Sequence, residues 1–179
     1  MSAGLTSADT PTRHLSTWWV VRDILVVLAA CAAAGALAGV VWEAWWTPPI
    51  GVVRDHGWYV DFFQSRELFS ATAQYVVVGV LGGGLVGAAS AFFVDRVELV
   101  TLATVVVGSV LAAWLMLQVG AALGPPDPAV LARTAADDTR LPGTLEVSGN
   151  WPLGAFPAGA LLGVAVIYIG LTSSRRSHA

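Results

Sequence analysis

Four stretches, Ile24–Trp46, Ala71–Val94, Leu99–Leu123 and Leu153–Leu171, run for 19 to 25 residues with almost no charged side chain. About 20 helical residues, rising ~1.5 Å each, cross a hydrocarbon layer of ~30 Å, so each stretch can span a bilayer. Glu43 is the one acid in an apolar run, and Gln118 is the only strongly polar group in the third. A membrane barrel would show alternating segments of about 10 residues instead, and none is present. The expected fold is an all-α membrane protein. Its four transmembrane helices lie over about 20–46, 70–94, 98–123 and 153–172, with outer loops at 47–69 and 124–152. Composition agrees, because only 12% of the 179 residues are charged, about half of what a soluble domain carries.

Orientation follows from the arginines, which supply all nine basic residues. With the N-terminus inside, Arg13, Arg22, Arg96, Arg175 and Arg176 are cytoplasmic, while Arg54, Arg66, Arg133 and Arg140 lie in much longer outer loops. The higher inner density favours both termini being cytoplasmic. Trp18 and Trp19 at one end of the first helix, and Trp42, Trp45 and Trp46 at the other, read as two belts at the headgroup layers. Pro48 and Pro49 then stop that helix.

The first outer loop carries Val52-Val53 and Trp58-Tyr59-Val60 around Arg54-Asp55-His56-Gly57, a pattern for a short hairpin. In the second, Asp127 is placed to cap a helix beginning at Pro128 and running to Asp137. A strand is expected at Thr144–Ser148. The two loops are expected to form a small extracytoplasmic α+β cap without a sizeable core of its own. Its aromatics Trp58, Tyr59, Phe62 and Phe63 suit contacts with a partner or with the bilayer surface.

Small residues recur every four positions on each helix: Cys31, Gly35 and Gly39; Gly79, Gly83 and Gly87; Thr104, Gly108 and Ala112; Ala155, Gly159 and Gly163. Such ridges let helix backbones approach closely in lipid. They can close within one bundle, or one of them can face another protein. Leu28-Ala29-Ala30-Cys31 looks like a lipidation site, but apolar sequence continues to Val41, unlike a signal peptide that ends at its cleavage point. Cys31 is therefore expected to be a small residue in a helix seam. Gly82–Gly87 matches a dinucleotide fingerprint only formally, since no strand precedes it.

Nothing in the chain groups residues for catalysis or metal binding, so no enzyme, cofactor or nucleic-acid partner is expected. Glu43 lies near the outer boundary, as an interfacial acid or paired with an arginine such as Arg54. Trp114 and Gln118 share a helix face and are expected to form an internal hydrogen bond.

Lysine is absent, and Ala, Val, Gly and Arg abound, as in GC-rich actinobacteria. Val41-Trp42-Glu43, Pro48-Pro49, Gly57-Trp58-Tyr59, Gly108-Ser109, Ala112-Ala113-Trp114-Leu115 and Gly124-Pro125-Pro126-Asp127-Pro128 resemble a family of small four-helix actinobacterial membrane proteins of unassigned function. The likeness covers most of residues 20–172. Within it, the chain is similar to an accessory subunit of the mycobacterial Mce lipid importer. That resemblance implies a non-catalytic helper beside a permease subunit. A small self-associating lipid transporter or channel, and an envelope sensor, are the competing readings.

Overall fold

The computed structural model describes residues 17–60, 65–93 and 98–176. It is mostly helical, with four helices long and apolar enough to cross a membrane and one small three-stranded sheet. The long helices are α1 (Thr17–Trp45), α2 (Ser65–Phe93), α3 (Glu98–Leu123) and α5 (Ala155–Arg176). Between α1 and α2 lie β1 (Ile50–Arg54) and β2 (Gly57–Val60). Between α3 and α5 lie the one-turn α4 (Pro128–Ala132), β3 (Arg140–Pro142) and a 3₁₀ turn at Trp151–Gly154.

The main seams join α1 to α3 and α2 to α5, and α1–α2 and α3–α5 contacts close the bundle. Both main seams pair parallel helices. Along the first, the Cα positions of Gly35 and Gly39 rise with Ala112 and Met116; along the second, Gly83 and Gly87 descend with Phe156 and Ala160. Consecutive long helices run in opposite directions, so a parallel partner has to be the long helix after next.

Where the seams meet, Trp42, Tyr75, Met116 and Phe156 are fully buried. Trp42 therefore is no belt residue, contrary to the expectation from its place near the helix end. Its Nε1 donates to the carbonyl of Ala71 at 2.8 Å, and its ring meets Tyr75 edge-on with centroids 5.1 Å apart. The Tyr75 hydroxyl donates to the carbonyl of Ala113 at 2.7 Å. Both polar handles thus find partners, and the Trp42 ring fills the space that Gly120 of α3 leaves open. Trp46 is buried too, whereas Trp18, Trp19, Trp45 and Trp151 stay exposed at the two ends.

The two connecting segments fold together at one end. β1 pairs antiparallel with β2 on one side and with β3 on the other. The hairpin forms where expected, through Asp55 and His56 at φ 49° and 60°. Two successive left-handed residues make a type I′ turn, whose twist matches the flanking strands. Asp127 caps α4 through Oδ1, which accepts from the Ala129 amide at 2.8 Å, but α4 ends at Ala132 rather than Asp137. Asp138, at φ 67°, turns the chain back toward β1, where Asp138 N–H donates to the Val53 carbonyl and Val53 N–H to the Thr139 carbonyl, both at 2.9 Å. The strand thus forms at Arg140–Pro142 and not at Thr144–Ser148. The later segment instead sends Leu145 into the bundle core.

Candidate functional site

A strand alternates its side chains between faces, and the register separates the two faces of this cap. Opposed positions Val53 and Trp58, with Gly51 opposite Leu141, face the body of the protein. Val53 is fully buried; Trp58 donates its Nε1 proton to the Leu141 carbonyl at 3.1 Å. The Trp58 ring lies directly over Gly51, where any Cβ would collide with it. Trp58 therefore ties the hairpin to the second connecting segment.

The other face presents Val52 between Tyr59 and Arg140, with Arg54 two residues along β1. Tyr59 is 60% exposed, and both arginines are exposed. Val52, Arg54, Asp55, Tyr59 and Val60 line a concavity of about 540 Å³. Arginine and tyrosine dominate the energetics of protein interfaces because each buries a large, rigid area and still offers donors. Tyr59 was singled out from the sequence, but Arg54 was considered only as a partner for Glu43 and Arg140 was not considered as a contact residue. Their proximity depends on β1–β3 pairing across more than 80 residues, which no local pattern announces. Phe62 and Phe63 lie outside the described residues.

All eight glycines expected at helix interfaces are closed by helices of the same chain. A Cβ on Gly35 would strike Ala112, and one on Gly39 would come within 2.7 Å of the Met116 carbonyl oxygen. On the other seam, Gly79 faces Ala155, Gly83 faces Phe156 and Ala160, Gly87 faces Ala160, Gly159 faces Val80 and Gly163 faces Gly84. Cys31 belongs to the first seam: it is fully buried, and a Cβ on Gly108 would lie 2.8 Å from its Sγ. A diacylglycerol thioether has no room there.

Glu43 is partly exposed and, among the described residues, has no ion-pair partner; Arg54 does not reach it. The internal Trp114–Gln118 hydrogen bond expected from their spacing is not formed. Both side chains face outward from the bundle. Among the described residues no three of His, Cys, Asp and Glu gather as metal ligands. Comparison with family models, with curated proteins and with solved structures returned no match.

Proposed function

We propose that this chain is a non-catalytic accessory subunit in the plasma membrane, which docks on a lipid transporter of the Mce type and stabilises or regulates it. In this reading the cap is extracytoplasmic, both termini are cytoplasmic, and the partner is the permease subunit. The observation that carries it is the outward sheet face, where Tyr59, Arg54 and Arg140 stand on a sheet that β1–β3 pairing and Trp58 hold to the second connecting segment. A rigid platform loses little entropy on binding, which favours docking over chemistry at such a surface. The choice of transporter rests on the resemblance to LucB, the accessory subunit of the mycobacterial Mce importer. A channel through one copy of the bundle would need a polar route, and the bundle interior is occupied by Trp42, Tyr75, Met116 and Phe156.

The test is co-purification in mild detergent from native membranes. A Tyr59→Ala, Arg54→Ala variant should keep its membrane level and lose the permease subunit from the eluate. Undiminished recovery of the permease by that variant, or absence of any transporter subunit with the native chain, would overturn the proposal.

A further inference from the structure

Gln118 is exposed on α3 and makes no hydrogen bond among the described residues. Its depth can be read from its neighbours. Gly39 packs beside Met116, Val119 and Gly120, so Gln118 lies level with Gly39. Six residues separate Gly39 from the exposed Trp45, which places Gln118 ~9 Å below that indole along the helix. The side chains exposed around that level are Leu37, Val40 and Val41, which are suited only to lipid. Cα–Cβ bonds tilt toward a helix N-terminus, so the Gln118 side chain sets out away from the cap end and the nearer headgroups. An amide there has donors and an acceptor that acyl chains cannot satisfy.

The stripe to which Gln118 belongs has a seam's spacing. Val107, Leu111, Trp114, Gln118 and Ala121 recur at intervals of four and three, and all five are exposed. That is the 3.5-residue period of two helices crossing at a shallow angle, with one polar residue at a core position, a placement that fixes register. The small-residue ridges, by contrast, are used up inside the bundle.

We infer that this stripe of α3 is a homodimer seam, and that its occupant is the same stripe of a second copy. Two copies inserted in the same sense are related by a two-fold axis along the membrane normal, which brings identical positions together at equal depth. A primary amide is its own complement, so Gln118 meeting Gln118 satisfies donor and acceptor reciprocally with no other chemistry required. The inference goes beyond the accessory role and does not depend on it. It rests only on the bundle spanning a membrane.

Cysteines placed at 118, at 114 and, as a control, at the exposed Leu85 of α2, each with Cys31→Ala, test this in the full-length chain. Carbonate-washed membranes are oxidised with copper phenanthroline. Opposed core positions bring Cα atoms within the ~7 Å that a disulfide needs, so 118 should yield a dimer of this chain and 85 should not. In the otherwise native chain, Gln118→Leu should weaken dimerisation in mild detergent by about five- to tenfold. Equal dimer yields at 118 and 85, a 118 adduct with a different protein, or a Gln118→Leu variant that dimerises as the native chain does would each overturn the pairing. Release of the chain by carbonate would overturn its membrane placement, and the seam with it. Retention without a cross-link overturns the seam alone.

Discussion

Adding one methyl group to adjacent glycines of α2 should have opposite effects. A Cβ on Gly83 would collide with the carbonyl oxygen of Phe156, and would stand 2.9 Å from the Ala160 amide nitrogen and 3.0 Å from the Phe156 carbonyl carbon. All three atoms are α5 backbone, so no rotamer change relieves the clash and α5 must retreat. On Gly84 the nearest atom to a new Cβ is the Gly159 carbonyl oxygen at 3.6 Å, an ordinary contact. Both substitutions gain the same helix propensity, about 1 kcal/mol in favour of alanine. Gly83→Ala also incurs an overpacking cost of about 1–3 kcal/mol. The upper end applies here, because a retreat of ~1 Å forfeits a quarter to a half of the dispersion attraction at each neighbouring contact, and Gly79, Gly87, Gly159 and Gly163 lie along the same seam.

The net expectation is a loss of about 2 kcal/mol for Gly83→Ala, hence a melting temperature roughly 4–8 °C lower for a chain of this size. Gly84→Ala should melt at or slightly above the native temperature. The assay is loss of the monodisperse size-exclusion peak after a heating series in mild detergent. Coincident melting of the two variants would refute an intramolecular seam at Gly83, since the substitutions differ only in what the new methyl meets.

Other perturbations read other parts of the structure. Trp42→Phe removes the indole N–H that the buried Ala71 carbonyl accepts in addition to its bond within α2 and should cost about 0.5–1.5 kcal/mol, whereas Trp45→Phe, at an exposed position, should shift the melting temperature little. Cys31 should resist a membrane-permeant maleimide until the protein is unfolded in dodecyl sulfate, and the intact mass should show no acyl adduct. A cysteine at Asp137 should react with an impermeant maleimide on spheroplasts and one at Ser174 should not; the reverse pattern would invert the topology. His56→Gly should raise the melting temperature slightly, because glycine enters the left-handed region without the steric cost that histidine bears at φ 60°.

Helix number was legible in the sequence because a long apolar run that must satisfy its own backbone has one regular solution, whereas helix ends were less so, since α2 begins at Ser65 rather than near 70 and α5 runs on to Arg176. The hairpin was legible for a similar reason, since Asp55-His56-Gly57 between apolar pairs leaves few ways to reverse. What failed was anything set by a distant segment. β3 forms at Arg140–Pro142 because Thr139 and Asp138 meet Val53, while Thr144–Ser148, stronger in strand propensity, is diverted by Leu145 entering the bundle. Trp42 was misread because belt position and core position look alike near a helix end. The difference is that Trp42 rests on Gly120, a residue on another helix that makes room for the ring. Trp114 and Gln118 were misassigned in the opposite sense: polar side chains on an apolar helix were expected to turn inward, and here the inward positions are already taken by Ala112, Ala113 and Met116.

The ridges carry more information than their motif suggests. Each helix has one ridge, and a ridge lets its backbone approach the backbone of the facing helix closely. Cys31, Gly35 and Gly39 meet Gly108, Ala112 and Met116 in parallel register, and likewise Gly79 meets Ala155, Gly83 meets Phe156 and Ala160, and Gly87 meets Ala160. Chain order decides which helices are antiparallel, and the ridges are spent between the parallel pairs α1–α3 and α2–α5. With four ridges consumed by two seams, none is left to recruit another protein through close backbone contact. Association with anything outside the bundle then falls to surfaces that are not small-residue ridges, and the two that stand out are the arginine–tyrosine face of the cap and the Gln118 stripe of α3. In the proposed reading the first reaches a partner through water and the second through lipid, so disabling one should leave the other intact. A Gln118→Leu chain that no longer dimerises should still co-purify the proposed transporter, and a Tyr59→Ala, Arg54→Ala chain that loses that transporter should still cross-link at 118.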